Sequence, residues 1–400
     1  MRSIVAVTNE MDDAKKAAGE LLKQINEKGS LSKNSLGLVY CDVAIEHDAF
    51  VAELQKELPF DIIGNTTIAT FDTDNGAQIM SVVLTVLTAD DVTFSTVVTN
   101  ALNSENIRAE LEVAYKAASA QLSEPEKLIF IVPPFVTDAV PLDEYVDTLS
   151  ELSGDVPMFG GLPSSSMADG DIIIHARGHT YSDRAAIVLL SGNINPIFTV
   201  QNILSTYSDQ KFVVTKSKNN IIYTVNDMTF VDYLRSAGMD IDELMAQGDL
   251  AVYVSTPIKV NLSKHDYNDG IPVVRIIKTI NPEDNSGVLF GAVPEGSTIS
   301  IGAMKRKDIQ ESCNIAVKAI QEKIAAKDTE YNTLLCISCG GRYMVMADDK
   351  DLEGDVICAS LPKELTFSGF YSFGEICPTE IVDGKAVNRV HNASIVMCVL

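Results

Sequence analysis

The residues best suited to chemistry lie near the carboxyl end of the chain, between Ser368 and Leu400. A tyrosine (Tyr371), a carboxylate (Glu375), an imidazole (His391) and an amide (Asn392) occur there. A mixture of one charge and several neutral hydrogen-bonding groups is better suited to holding a small polar ligand than to filling an apolar core. We therefore expect these four side chains to share a ligand site at one end of a sheet.

The elements that would position them are two strands. An aromatic-rich strand leads into Gly374 and Glu375, and the Cys-Pro dipeptide at 377–378 is expected to end it. The Asp-Gly dipeptide at 383–384 predicts a turn, and an alternating strand through 391–392 follows. Two strands bounded in this way predict a hairpin, with Gly374 allowing the backbone to bend. The alternative for Glu375 is a solvated charge on an edge strand, where it would discourage further strand pairing.

Arg342 is the candidate cation of the same site. It follows a predicted strand over 334–338, and α/β sheets bind ligands at such strand ends. Its guanidinium would bind a carboxylate with two hydrogen bonds, or would form a surface ion pair with the acids in 348–351. Cys336 and Cys339 on this strand have C-x-x-C spacing, but no second pair completes a zinc site. We expect both thiols to be buried on one face of the strand.

Two further loops carry glycines that would let a ligand approach the backbone. Gly64, Asn65 and Thr66 lie where a strand meets a turn, and Gly160 and Gly161 follow an apolar strand. The alternative is structural: a turn, or a bend that requires positive φ. No glycine-rich phosphate-binding motif is present, so the sequence gives no support for nucleotide binding.

A catalytic interpretation and a metal site are both less favoured. Cys339 or Thr66 would be the nucleophile, with His391 or Glu375 as the base, but no recognised motif joins them. His391 is expected to be a neutral hydrogen-bonding or core histidine, with haem ligation as a minority alternative. The other histidines show no metal-ligand spacing, so no metal site is predicted; they are His47, His175, His179 and His265.

Composition limits the class of protein. A chain of 400 residues exceeds what one core normally serves, which predicts two domains. A net charge of −24 argues against binding to nucleic acid or to an anionic membrane surface. No apolar run approaches the ~20 residues of a membrane helix, so no membrane insertion is expected. Seven cysteines, an odd number spread through apolar segments, indicate reduced thiols and a cytoplasmic location.

The order of predicted elements repeats along the chain. Strand, helix, strand, helix, strand, turn and strand occur over 4–87, again over 92–190 and again over 299–400, where the strand 299–301 would begin the third unit. A more β-rich segment lies at about 210–296. Strand–helix–strand steps predict parallel pairing, and the terminal hairpins add antiparallel strands. The expected fold is therefore α/β, with two domains of mixed, partly parallel sheets flanked by helices, and with internal duplication. The alternative is that the order is common to any α/β protein.

The closing segment resembles a known family. The sequence G-F-Y-S-F-G-E-I followed by H-N is similar to the C-terminal signature of the FIST sensory family. Residues 293–296 and 339–342 resemble the same domain, while 37–42, Gly64 and the glycine pair at 160–161 resemble the FIST N domain. The loop 64–70 departs from the family pattern G-C-S-T-x-G-E, because it carries Asn65, Ala69 and Thr70. The resemblance implies an N-like domain over 1–207 and a C-like domain over 208–400.

The resemblance also implies a function. It points to a small-ligand-binding sensory protein of signal transduction, with an amino acid or a derivative as ligand. A separate signalling protein, such as a kinase, a cyclase or a chemoreceptor, would be the output partner. No catalytic residues and no cofactor are expected, although some members are described as haem-binding nitric-oxide sensors. An enzyme acting on a small polar metabolite and a haem-based gas sensor stay as alternatives.

Overall fold

A computed structural model describes residues 1–135, 141–165, 172–203, 206–241, 254–263, 272–362 and 364–400. Within these ranges the chain forms three successive units and one inserted segment.

The first unit comprises β1 (Arg2–Thr8), α1 (Ala14–Lys28), β2 (Asn34–Cys41), α2 (His47–Glu57), β3 (Ile62–Thr66), β4 (Thr70–Asp72), β5 (Gly76–Gln78) and β6 (Val82–Ala89). The second comprises β7 (Val92–Val98), α3 (Ile107–Ser119), β8 (Glu126–Val132), α4 (Asp143–Ser153), β9 (Met158–Gly161), β10 (Ile174–Ala176), β11 (His179–Tyr181) and β12 (Ala186–Gly192).

The third unit begins with β13 (Ile197–Asn202) and is then interrupted. The inserted segment comprises β14 (Thr206–Tyr207), β15 (Phe212–Lys218), β16 (Ile221–Val225), β17 (Met228–Thr229), α5 (Phe230–Ser236), β18 (Ile258–Asn261), β19 (Val273–Arg275), β20 (Ile277–Asn281), β21 (Ser286–Leu289) and β22 (Thr298–Ala303). The unit resumes with α6 (Arg306–Ala325), β23 (Thr333–Cys339), α7 (Gly340–Met346), α8 (Leu352–Ser360), β24 (Thr366–Ser372), β25 (Glu375–Val382), β26 (Lys385–His391) and β27 (Ser394–Val399).

The three units build three sheets of the same topology. In each unit the first strand pairs antiparallel with the last, the last pairs antiparallel with the second, and the second pairs parallel with the third. The short hairpin of each unit does not stay in its own sheet. Hairpin β4–β5 joins β24, hairpin β10–β11 joins β3, and hairpin β25–β26 joins β9, so the three units exchange hairpins in a cycle.

This arrangement confirms the predicted fold class of mixed, partly parallel sheets flanked by helices. The strand 299–301, expected to begin the third unit, belongs instead to β22 in the inserted sheet, so that part of the prediction is wrong. The first strand of the third unit is β13, which pairs with β27. The domain boundary at 207/208 stays a prediction, and residues 204–205 beside it lie outside the described part of the chain.

The second strand of each unit explains how the layers pack. Leu38, Phe130 and Ile337 point inward from β2, β8 and β23 into one core that all three sheets share. Their neighbours point outward onto the helices, because successive side chains on a strand alternate between its faces. The outward residues are Val39 against α1 and α2, Ile131 against α3 and α4, and Cys336 against α6 and α8.

The carboxyl-terminal strands differ from their predicted form. The Asp-Gly turn at 383–384 does connect a hairpin, but that hairpin is β25–β26, and Pro378 lies inside β25 rather than at its end. Proline has no backbone N–H, but β25 pairs with β9 only at 375–376. No hydrogen bond to β9 is therefore lost at Pro378. Tyr371, on β24, and Glu375, on β25, consequently lie in two different sheets.

No helix in the described ranges is both long and apolar enough to cross a membrane.

Candidate functional site

A cavity lies where the inserted segment packs against strand ends of the third unit. It is lined by Cys339 at the end of β23, Phe373 between β24 and β25, and Asn392 between β26 and β27. Ile276 and Phe290 close it from the inserted segment. The space that a water molecule can enter is about 10 Å³, so a larger ligand would require the lining side chains to move apart. The position agrees with the general rule that α/β sheets bind ligands beyond the carboxyl ends of their strands.

Glu375 is the completely buried acid beside this cavity. Its Oε2 accepts hydrogen bonds from the hydroxyl of Ser394 at 2.8 Å and from the backbone N–H of Ser394 at 3.4 Å. Its Oε1 has no hydrogen-bond partner among the described residues. Burial raises the pKa of Glu375 to about 8, although the bonds from Ser394 and the charge of Arg342 act in the opposite direction. The carboxyl group is therefore mostly protonated at neutral pH.

Cys339 and Asn392 connect Glu375 to the cavity. The Cys339 thiol lies close to the Glu375 carboxyl group. Burial raises the pKa of this thiol, and the charge of Glu375 adds to the effect. The Asn392 amide donates to the carbonyl of His391 at 2.9 Å, while its buried Oδ1 has no partner within the described ranges. The cavity region thus contains a protonated thiol, a neutral carboxyl group with one unpaired oxygen, and an unpaired amide oxygen.

Cys339 does not share a face with Cys336, contrary to the sequence expectation. Residues three apart on a strand point to opposite faces, so Cys336 packs against the helices while Cys339 lines the cavity. Both thiols are buried, as predicted.

Arg342 is fully engaged inside the protein. Its Nε and Nη2 donate to Oε1 of Glu353 at 2.9 and 2.5 Å, and both side chains are completely buried. Ser338 donates to the other carboxylate oxygen of Glu353 at 2.8 Å. Burial alone would lower the pKa of Arg342, but the carboxylate of Glu353 raises it above its ordinary value. The expected surface pair with acids in 348–351 is not formed, and the geometry does not support Arg342 as a ligand-binding cation.

Tyr371 and His391 are buried beside the site and have structural contacts. The ring of Tyr371 packs against Phe71 and Tyr343, with centroids 4.5 and 4.8 Å away. His391 Nε2 lies 3.0 Å from the carbonyl oxygen of Cys377, and burial lowers the pKa of this imidazole to about 3. His391 is therefore the neutral hydrogen-bonding histidine that the sequence favoured.

The two glycine loops lie in different sheets. Gly161 is opposite Glu375 in the β9–β25 pair. The backbone carbonyl of Gly374 accepts a hydrogen bond from the backbone N–H of Leu162 at 2.9 Å, so this loop does border the site. Gly64 belongs to β3, where its neighbours Asn65 and Thr66 are fully buried and hydrogen-bonded within the fold.

Two groups of buried polar side chains have no recognisable signal in the sequence. Glu353 lies in the short helix α8, and the only sequence signal for it is an acid within a mostly apolar segment. His175 is distant in sequence from Cys41 and His47, yet one ligand atom from each of the three lies within 4.8 Å of the others. No local spacing rule would have found this second group, because its members come from two units.

Comparison with known proteins gives the family. No curated protein matches the sequence significantly. A cyanuric acid hydrolase structure from A. caulinodans has 9% identity and a TM-score of 0.35 over 99% of both chains. A second cyanuric acid hydrolase structure has 11% identity and a TM-score of 0.25, covering 76% of this chain and 99% of the other. These values are too low to support an argument about activity. Residues 35–228 match the FIST N domain and residues 231–378 match the FIST C domain, and the chain therefore belongs to the FIST family.

Proposed function

We propose that this protein is a small-ligand-binding sensor of signal transduction whose ligand occupies the cavity bordered by Cys339, Phe373 and Asn392. Family membership supports the sensory role, because FIST domains are associated with sensory signal transduction. The observation that carries the site is the buried Glu375 carboxyl group, one oxygen of which has no partner among the described residues. An unsatisfied buried polar atom costs about 1–3 kcal/mol, and a ligand that forms a hydrogen bond with it would recover that cost.

The lining of the cavity favours an amino acid or a derivative of one. Apolar side chains such as Ile276, Phe290 and Phe373 would cover an apolar body. Glu375 Oε1 and Asn392 Oδ1 would accept hydrogen bonds from an ammonium or amide group. An ammonium group would stabilise the ionised form of Glu375, so that binding transfers the carboxyl proton to solvent. Arg342 stays with Glu353, and a ligand carboxylate would therefore remain near the mouth of the cavity.

The output would pass to a separate signalling protein such as a kinase, a cyclase or a chemoreceptor. The cavity is formed jointly by the inserted segment, through Ile276 and Phe290, and by the third unit, through Cys339 and Asn392. A ligand between these two parts would change how they pack, and a partner that contacts both would respond to that change.

An enzymatic function is the alternative, and one contact favours it. The Cys339 thiol lies beside the Glu375 carboxyl group, and a nucleophile and its base require such proximity. Burial keeps both groups protonated, however, and a thiol must ionise to be an effective nucleophile. The haem-sensor alternative rests on the resemblance alone, and an absorption spectrum after haem supplementation tests it.

The test is calorimetry against a panel of free amino acids, amino-acid amides and simple amines. We expect wild-type protein to bind at least one of them and to release about one proton per ligand near neutral pH, since Glu375 begins protonated. Proton release is obtained by repeating the titration in buffers of different ionisation enthalpy. Glu375→Gln should weaken binding by about 2–5 kcal/mol, or roughly 30- to 4000-fold, and should abolish the proton release.

The matched control is Glu380→Gln, an exposed acid on the same strand β25. It should leave both the affinity and the proton release unchanged. Equal affinities for wild type and Glu375→Gln would show that Glu375 is structural and would remove this site.

A further inference from the structure

We propose that Cys41, His47 and His175 form a binding site for a first-row transition-metal ion, with Zn²⁺ as the expected occupant. One ligand atom from each residue lies within 4.8 Å of the other two, and all three residues are buried. A thiolate with two imidazoles is a donor set that suits Zn²⁺ and does not suit Mg²⁺ or Ca²⁺, which prefer oxygen.

The two imidazoles already have nearly the required separation. His175 Nε2 lies 3.1 Å from His47 Nδ1, and their rings stack with centroids 5.1 Å apart. A tetrahedral Zn²⁺ with Zn–N bonds of about 2.0–2.1 Å holds its nitrogens about 3.3 Å apart. It holds sulfur and nitrogen about 3.6 Å apart, and the ligand atoms here lie within 4.8 Å of one another, so closing the site requires a movement of at most about 1.2 Å. The remaining nitrogen of His175, Nδ1, is buried without a hydrogen-bond partner in the described part of the chain.

Each ligand comes from a well-fixed element. Cys41 is the last residue of β2 and pairs with Thr66 and Val82 on its two neighbours. His47 is the first residue of α2. His175 is the middle residue of β10, directly opposite Gly64. Because β10 belongs to the hairpin that the second unit contributes, a bound ion would join two units.

Comparison of the three units shows that the fold does not require these residue types. Gly64, Gly160 and Gly369 are equivalent, because each pairs in parallel with the second strand of its unit. On the other side of these glycines lie His175 in the first sheet, Ile376 in the second and Phe71 in the third. The strand register makes Ser338 of the third unit equivalent to Cys41 of the first. Ser338 donates a hydrogen bond to Glu353, which is already paired with Arg342, so the third unit has an ion pair at this place and no thiol or imidazole. The thiol and paired imidazoles therefore occur in only one of three equivalent places, which is expected of a specific ligand site rather than of a packing requirement.

The protonation states are compatible with uptake of the ion. Burial, assisted by the neighbouring His47, holds the pKa of His175 well below its ordinary value, so this imidazole is neutral. Burial raises the pKa of the Cys41 thiol. Zn²⁺ would form a bond with the sulfur as the S–H proton leaves to solvent. The proton between the two imidazole nitrogens would move to the other nitrogen of its own ring, so that both histidines bind as neutral ligands.

The experiment measures metal in the full-length protein. Purified wild type is metal-stripped, dialysed against micromolar free Zn²⁺ and analysed by mass spectrometry for metal content. A parallel sample receives Co²⁺, whose thiolate charge-transfer band in the near ultraviolet reports a Co–S bond. The site variants are Cys41→Ser and His175→Asn. The controls are Cys358→Ser, which removes the exposed thiol, and His391→Gln, which removes a buried histidine elsewhere.

We expect about one ion per chain in wild type and in both controls, and a loss of affinity of about 100-fold or more in both site variants. The cobalt charge-transfer band should disappear in Cys41→Ser and persist in Cys358→Ser. Wild-type protein that takes up no ion overturns the proposal, whatever the variants do. A band that survives Cys41→Ser, or that disappears with Cys358→Ser, also overturns it. If Cys41→Ser does not fold, His47→Gln at the start of α2 replaces it, with loss of metal again the expected result.

Discussion

Gly369 on β24 lies so close to Cys336 on β23 that a Cβ atom added to the glycine would be 1.7 Å from the Cys336 carbonyl oxygen. The same relationship holds between Gly64 and Val39, at 1.6 Å, and a third glycine occupies the equivalent place in the second sheet. The three glycines therefore mark one shared feature of the units, a close approach of two parallel strands. Their φ angles are not positive, so the expected turn geometry is not the reason for glycine there.

Gly369→Ala should therefore destabilise the protein severely. The added methyl group meets a backbone oxygen, which has no rotamer through which to move away, so we expect a loss of at least about 3 kcal/mol in the free energy of unfolding. Urea denaturation followed by circular dichroism measures it. Gly19→Ala is the control, because a Cβ there has nothing within 4 Å and lies inside helix α1, where alanine is favoured. Comparable stability for the two variants would contradict the close approach.

The order of elements was predictable because it depends on local periodicity. Residues such as Leu21 in α1 and Leu111 in α3 recur at helical spacing, and each strand between helices is apolar. The exchange of hairpins was not predictable, since a hairpin such as β10–β11 has the same local sequence signals whichever sheet it joins. The interruption after β13 was missed for a similar reason: β13 and β22 are both short apolar strands, and only long-range pairing distinguishes them.

The candidate site shows the same limit. Glu375 and Asn392 were identified from residue type and resemblance, and the structure places both near one cavity. The sequence predicts Arg342 as a ligand-binding cation or a surface ion pair, but in the structure it binds Glu353. Glu353 is eleven positions later on another helix, and no sequence pattern specifies that pairing. The group formed by Cys41, His47 and His175 depends on a contact across 128 positions between two units.

The thiols give a second prediction. Six of the seven cysteines are buried and none forms a disulfide, while Cys358 on α8 is exposed. Titration of the native protein with a thiol reagent should therefore show one rapidly reacting thiol, and titration after unfolding should show all seven. Cys358→Ser should abolish the rapid phase. Rapid labelling of Cys336 or Cys339, identified by peptide mapping, would contradict the observed burial.

The buried pair of Arg342 and Glu353 gives a third prediction. Glu353→Gln leaves an uncompensated guanidinium in the core, so we expect a loss of about 3–5 kcal/mol in the free energy of unfolding. Replacing both residues together, as Arg342→Met with Glu353→Met, should cost less than the single change, because no charge is then left unpaired. Urea denaturation of the three proteins provides the comparison. A single variant that is as stable as wild type would show that the pair contributes little.

The pH dependence of stability gives a fourth prediction, which isolates Glu375 without any ligand. The folded-state pKa of Glu375 is raised to about 8, above its ordinary value of 4.5. Between these values the folded state binds more protons than the unfolded state, so this group makes the protein less stable as the pH rises through that interval. Glu375→Gln cannot ionise and should not show that contribution.

Wild type and Glu375→Gln should therefore have similar free energies of unfolding near about pH 5. Near about pH 9 the variant should be more stable by about 1–4 kcal/mol, because one unit of pKa corresponds to about 1.4 kcal/mol. Urea denaturation at several pH values measures both proteins, and all other titrating groups cancel in the difference. Glu380→Gln is the control, since an exposed acid on the same strand should give a curve parallel to that of wild type. A difference between wild type and Glu375→Gln that stays constant across this range would mean that Glu375 is ionised in the folded protein. The buried carboxyl group would then need a cationic partner, and the case for a neutral acid that loses its proton to an incoming ammonium ligand would fail.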